Sequence, residues 1–180
     1  DDPDRAMRAS IKMMTELFEL NKKRVADGKM EIDHGVGLNT DLVVSGNIGS
    51  PKRMDYTIIG DGVNLAARTE SLCKQYGAKI LLTKYTLDQL KATYRTRQVD
   101  MVVVKGKTEP VAIFEAVDFH TKETFPNAIE VLGHFNNGIE YYNDGHWDKA
   151  IKMFTNALSG NPDDKCSTMY IDRCKYLKKE

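Results

Sequence analysis

The sequence predicts an α+β protein: strands and helices mixed over the first two thirds, helices alone after that. Three observations carry this prediction. A long apolar period of helical spacing opens the chain. Short runs rich in Val and Ile, broken by glycines, follow between residues 32 and 117. Beyond residue 127 the chain reads as helices, with a third beginning near Lys165.

The first helix is announced by Asp1-Asp-Pro-Asp-Arg5, since acidic residues and an early proline suit a first turn. Ala6, Met7, Ile11, Met14, Leu17, Phe18 and Val25 keep the helical period to about Ala26, and Asp27-Gly28 is its stop. Ile32–Leu38 and Leu42–Ile48 read as two strands of one hairpin, split by Asn39-Thr-Asp41. Glycines 35, 37, 46 and 49 interrupt them, and glycine within a strand marks a bulge or a close backbone approach. Tyr56–Ile59 is a short strand. Gly60-Asp-Gly62 then turns the chain into a helix over Val63–Gln75, stopped by Gly77. Val63, Ala66, Ala67 and Glu70 lie around one face of that helix, where small residues permit close packing on a sheet. A strand over Lys79–Thr83, a short helix over Lys84–Ala92, a strand over Arg95–Val104, a turn over Lys105–Pro110 and a closing strand over Val111–Val117 complete the first unit. The expected organisation is a domain over residues 1–118, a linker over 119–127 and a helical tail over 128–180.

Composition narrows the class of function. Of 180 residues, 41% are hydrophobic and 29% charged, and the formal net charge is zero. That balance removes any general electrostatic argument for a nucleic-acid or anionic-membrane partner. No apolar run approaches the roughly 18 residues of a membrane span. No secretory signal precedes the first helix, and a chain that opens on Asp1 without Met reads as part of something longer. Cys73, Cys166 and Cys174 form no CxxC pair, so free thiols in a reducing, cytoplasmic setting are expected. His34, His120, His134 and His146 show no metal-ligand spacing.

The richest stretch is Ser50–Arg68, in which a polar turn, a strand, a Gly-Asp-Gly break and a helix start follow one another. It sets Asn64 and Arg68 four residues apart, hence on one helical face. An amide beside a fork-shaped cation suits a polyphosphate or a ribose phosphate. Around it stand Gly35-Val-Gly-Leu-Asn39, Gly46-Asn-Ile-Gly49, Arg53-Met-Asp-Tyr-Thr57, Ile59-Gly-Asp-Gly-Val-Asn64, Ala66-Ala-Arg68 and Val104-Lys-Gly-Lys107. In this order and at these spacings they resemble the C-terminal portion of the class III nucleotide cyclase catalytic domain, the adenylyl and guanylyl cyclase family, over roughly residues 1–118.

The resemblance implies a ferredoxin-like cyclase domain, incomplete at its N-terminus, that works as a head-to-tail homodimer. One partner supplies two metal ions and the other supplies Asn and Arg. Asn64 would position the ribose, Arg68 would stabilise charge at the α-phosphate, and Lys105 would reach the terminal phosphates. Thr57 stands where the family reads the purine. A Thr hydroxyl accepts from an adenine amino group and also donates to a guanine carbonyl, so ATP is favoured and GTP stays open. Two Mg²⁺ or Mn²⁺ ions are implied, with ligands expected upstream of residue 1. Asp55 and Asp61 do not match the family's metal positions, and Asp1, Asp2 and Asp4 read as helix-start acids. The rivals are a guanylyl cyclase and a non-catalytic dimerisation or scaffold module.

Two positions depart from the family pattern. Asp41 stands where Gly is usual, and Gly62 where Thr is common. In the tail, Gly138, Tyr141, Ala150, Phe154, Ala157 and Pro162 sit at tetratricopeptide-like spacing, while His134 and Asn137 replace the early aromatic and Leu of that pattern. One such unit buries its apolar face poorly by itself. The tail is therefore expected to pack on the cyclase portion, on a second subunit or on further repeats, either as a simple helical cap or as a surface for a protein partner.

Overall fold

The computed structural model describes residues 1–50, 53–103 and 110–179. Within them the order is α1 (Asp2–Ala26), β1 (Val36–Leu38), β2 (Val44–Ser50), β3 (Arg53–Ile59), α2 (Asp61–Tyr76), β4 (Ile80–Thr83), α3 (Lys84–Leu87), β5 (Thr96–Val102), β6 (Val111–Ala116), α4 (Ala128–Asn143), α5 (Trp147–Gly160) and α6 (Lys165–Leu177).

Four strands form one sheet in the order β1-β4-β6-β5, and β2 with β3 forms a separate antiparallel ribbon. β4 is buried along its whole length. Alternation along a strand sends successive side chains to opposite faces. Ile80 and Leu82 therefore meet Met7, Met14 and Ala116 under α1. Leu81 faces the other way, into a core it shares with Val99, Ile113, Phe135, Phe154 and Tyr170. The sheet is thus covered by α1 on one side and by α2 with the helical tail on the other. Strands covered on both faces read as continuous apolar runs, which is why Ile80-Leu-Leu82 shows no alternation in sequence.

The tail packs on the first unit rather than standing apart. Cys166, Tyr170 and Cys174 from α6 and Phe135 from α4 lie in the same buried cluster as Cys73, Tyr76 and Leu81. At its centre is an ion triad, with Arg97 2% and Asp164 2% exposed. Arg97 of β5 donates through both terminal nitrogens to Asp164, at 2.9 and 2.7 Å, and through Nε to Glu115 of β6 at 2.7 Å. Its guanidinium also lies over the Phe135 ring, 4.5 Å from the centroid. Asp164 caps α6 at the same time, accepting from the Ser167 backbone N–H at 3.3 Å and also from the Ser167 hydroxyl at 2.5 Å.

Three local expectations are corrected. First, Ile32–Leu38 and Leu42–Ile48 do not pair. β1 is only Val36–Leu38 and runs parallel to β4, with Val36 opposite Ile80 and Leu38 opposite Leu82. β2 pairs instead with β3, Val44 opposite Ile59 and Ser50 opposite Arg53. Apolar patterning marks strands but not their partners, and a parallel partner is always distant in sequence. Second, the helix expected over Lys84–Ala92 ends at Leu87. The N–H groups of Lys91 and Ala92 donate instead to the Asp4 carboxylate at 2.9 and 3.0 Å. Asp4 is therefore more than a helix-start acid. Those backbone bonds tie the first turn of α1 to this loop and hold its carboxyl below the ordinary carboxylate range. Third, the buried face of α2 is Gly62, Leu65, Thr69, Cys73 and Tyr76, while Ala67 and Glu70 are exposed.

Candidate active site

The site begins with the way α2 is held. Gly60 joins β3 to α2 at φ 152° and ψ 163°, a conformation essentially confined to glycine. It lets a strand turn straight into a helix. Along its buried side α2 presses against β1. A Cβ on Gly37 would stand 2.3 Å from the Glu70 backbone nitrogen and 2.5 Å from the Ala66 carbonyl oxygen. The close approach predicted for this region is present, and the strand glycine permits it.

Asn39, at the end of β1, fastens the N-terminal turn. Its Nδ2 donates to the Gly62 carbonyl at 3.0 Å, and its Oδ1 accepts from the Thr83 hydroxyl at 2.8 Å. The Thr40 hydroxyl reaches that of Thr86 at 3.1 Å. The sequence marked Asn39 only as part of a motif; its bond to a carbonyl 23 residues away was not visible there.

On the side of α2 away from the sheet stand Asn64 and Arg68, both exposed. They lie one turn apart, as their spacing required, with Asn64 in the first turn where the helix dipole favours anions. Neither side chain has a hydrogen-bond or ion-pair partner among the described residues. Thr57 lies on β3, opposite Gly46 in the ribbon, and is exposed. Nothing in the described residues bonds it to Asn64 or Arg68. All three occupy open surface, on a strand and helix joined through Gly60. Lys105, with its Val104–Lys107 motif, lies outside the described residues.

The ribbon beside them is apolar and largely uncovered. Val44, Met54, Tyr56, Ile58 and Ile59 are exposed, Tyr56 to 76%. Among the described residues, no group of three or more His, Cys, Asp or Glu side chains could hold a metal ion. The metal ions implied by the resemblance therefore find no fitting donor set there, and no chemical step is routed through them. No helix among the described residues is long and apolar enough to cross a membrane.

The fold is thus a sheet flanked by helices, one of which presents Asn64 and Arg68 on open surface. The profile of the adenylate and guanylate cyclase catalytic domain matches residues 2–117, and the chain belongs to that family. Its similarity to "Adenylate cyclase, terminal-differentiation specific" of Dictyostelium discoideum is 35% identity over 172 residues, covering 94% of this chain and 8% of that protein. That match extends into the helices beyond residue 117. Among solved structures, the adenylyl cyclase CyaB from P. aeruginosa is 35% identical with a TM-score of 0.51, over 60% of this chain and 55% of that one. The guanylyl cyclase Cya2 is 34% identical with a TM-score of 0.53, over 64% of this chain and 58% of that one. The chain spans 8% to 24% of the length of the first curated relatives it matches.

Proposed function

We propose that this chain supplies the nucleotide-facing side of an adenylyl cyclase that converts ATP to cyclic AMP and pyrophosphate, as a head-to-tail homodimer in the cytoplasm. One observation carries the reading. Asn64 and Arg68 stand exposed, with no side-chain partner among the described residues, on a helix whose backbone is fixed by Gly37 and Asn39. A free guanidinium on a rigid support is preorganised for a charge that arrives with the substrate.

In the reaction the ribose 3′-oxygen bonds to the α-phosphorus as its proton leaves. The bond to the bridging oxygen breaks, and pyrophosphate departs with that electron pair. Such transfer is mostly positioning and charge stabilisation. Asn64 orients the ribose. Arg68 donates to the α-phosphoryl oxygens as negative charge shifts there. Thr57 accepts from the adenine amino group, and Lys105 meets the terminal phosphates. The exposed ribbon is the surface on which a second copy brings the rest of the site. The tail is read as a tetratricopeptide-like unit that also offers a surface to a protein partner. Gly138 lying against the Phe154 ring and the fully buried Ala150 and Ala157 support that reading.

The specific experiment is Arg68→Ala in the intact protein. Turnover falls by at least about 100-fold while the melting temperature holds. Unchanged turnover would sink the assignment. Parallel assays with ATP and GTP decide the purine, since the guanylyl cyclase Cya2 is also a structural neighbour.

A further inference from the structure

The C-terminal end of α2 is gripped by the tail. Tyr76, its last residue, donates from its hydroxyl to Asp100 Oδ2 at 2.5 Å. Arg173 of α6 donates to the same oxygen at 2.7 Å. The Cys166 thiol of α6 reaches the Tyr76 carbonyl at 3.4 Å. Gly77 caps α2 at φ 68°, and a Cβ there would stand 2.6 Å from Lys165 Cδ. The grip depends on an irregularity in β5. The register with β6 slips between Gln98 and Asp100, and such a bulge re-aims side chains. Asp100 thereby meets Tyr76 and Arg173, while the carbonyl of the extra residue, Val99, accepts from Tyr170 of α6 at 3.0 Å.

We infer that α6 is a positioning clamp for α2, and that Arg173 is a positioning residue for Asn64 and Arg68, acting through Asp100 and Tyr76. The helix is held at its start by Asn39 at Gly62, along its middle by the close approach of Gly37, and at its end by the Asp100–Arg173 pair at Tyr76. A helix is stiff along its axis, so loosening its C-terminal end lets the rod pivot on the Gly37 contact and shifts the turns on either side of it. Force applied to the tail therefore reaches the nucleotide-facing surface through α2. The inference of a catalytic consequence rests on the cyclase reading, whereas the mechanical coupling does not.

Amide hydrogen exchange and turnover of the intact protein test it together, in Arg173→Ala, Arg173→Lys and Val131→Ala. Val131 is buried against Phe125 and Ala157, away from α2, and controls for lost stability alone. In Arg173→Ala the amides of Leu65–Ala67 exchange roughly tenfold faster, and Arg173→Lys largely restores them. Val131→Ala leaves them unchanged. Faster exchange confined to α6 and Tyr76, or equal acceleration in Val131→Ala, overturns the clamp. In the same Arg173→Ala protein kcat falls about fivefold or more with KM little changed, as expected when a transition-state contact is misplaced; unchanged kcat overturns the positioning role. A wild-type protein that turns over neither ATP nor GTP would refute the cyclase reading, and the exchange pattern would still decide the clamp.

Discussion

Asp41 and Gly62 occupy one another's space: a Cβ built on Gly62 would stand 2.4 Å from the Cβ of Asp41. These are the two positions at which the chain departs from the cyclase pattern, Asp for Gly and Gly for Thr. In the fold they are one exchange of side chain across a contact. Gly62→Thr alone should therefore destabilise the protein by about 1–3 kcal/mol through overpacking, because the clash is with a Cβ and not a mobile side-chain tip. Asp41→Gly combined with Gly62→Thr should recover most of that loss. Urea denaturation of these two variants and of Asp41→Gly alone, against wild type, gives the coupling.

Gly37→Ala tests the close approach of α2 to β1. The new methyl would meet the backbone of Glu70, which cannot swing aside. A loss of about 3 kcal/mol is expected. A melting temperature within a degree of wild type would show that the strand and helix separate easily.

The Arg97 triad joins the tail to the sheet through buried charge. Asp164→Ala leaves the guanidinium with Glu115 alone and removes the cap of α6. The expected cost is about 3–5 kcal/mol, measured by chemical denaturation. A change below about 1 kcal/mol would mean that water replaces the lost carboxylate.

His120, between the first unit and α4, carries a pH dependence. Burial, followed by the nearby Arg97, Lys79 and Arg95 charges, lowers its pKa from 6.5 to about 4. The unfolded chain therefore binds a proton that the folded one refuses between those values. Stability from this group is present above pH 6.5 and is lost as the pH falls toward 4. Melting temperatures between pH 7 and 5 should drop more steeply for wild type than for His120→Gln. Parallel slopes would exclude His120 as the cause.

Tyr56, 76% exposed on the β2–β3 ribbon, tests the proposed dimer. Tyr56→Asp should weaken self-association by roughly 30-fold if the ring is an anchor worth about 2 kcal/mol. Sedimentation equilibrium reads this out, and an unaltered dimer would place the interface elsewhere.

Much of the site helix was legible in the chain. Gly60-Asp-Gly62, the period of α2 and the Asn64–Arg68 spacing are local properties, and the helix runs where they indicated, within two residues at its start. The pairing of β2 with β3 was not legible, because adjacent strands separated by Asn39-Thr-Asp41 look like a hairpin in sequence. Only the capture of Asn39 by Gly62 and Thr83 shows that this segment is an anchor and not a turn.

The sequence by itself determined the long helices, the cyclase motifs and the face that carries Asn64 and Arg68, since helical period, glycine stops and residue spacing act over short range. The tertiary structure alone decided what holds that face in place. Gly37 under Glu70, Asp41 beside Gly62, and Tyr76 bound through Asp100 to Arg173 are contacts between residues distant in sequence. Such contacts depend on sheet order, on a bulge in β5 and on the docking of α6, and no local pattern encodes them.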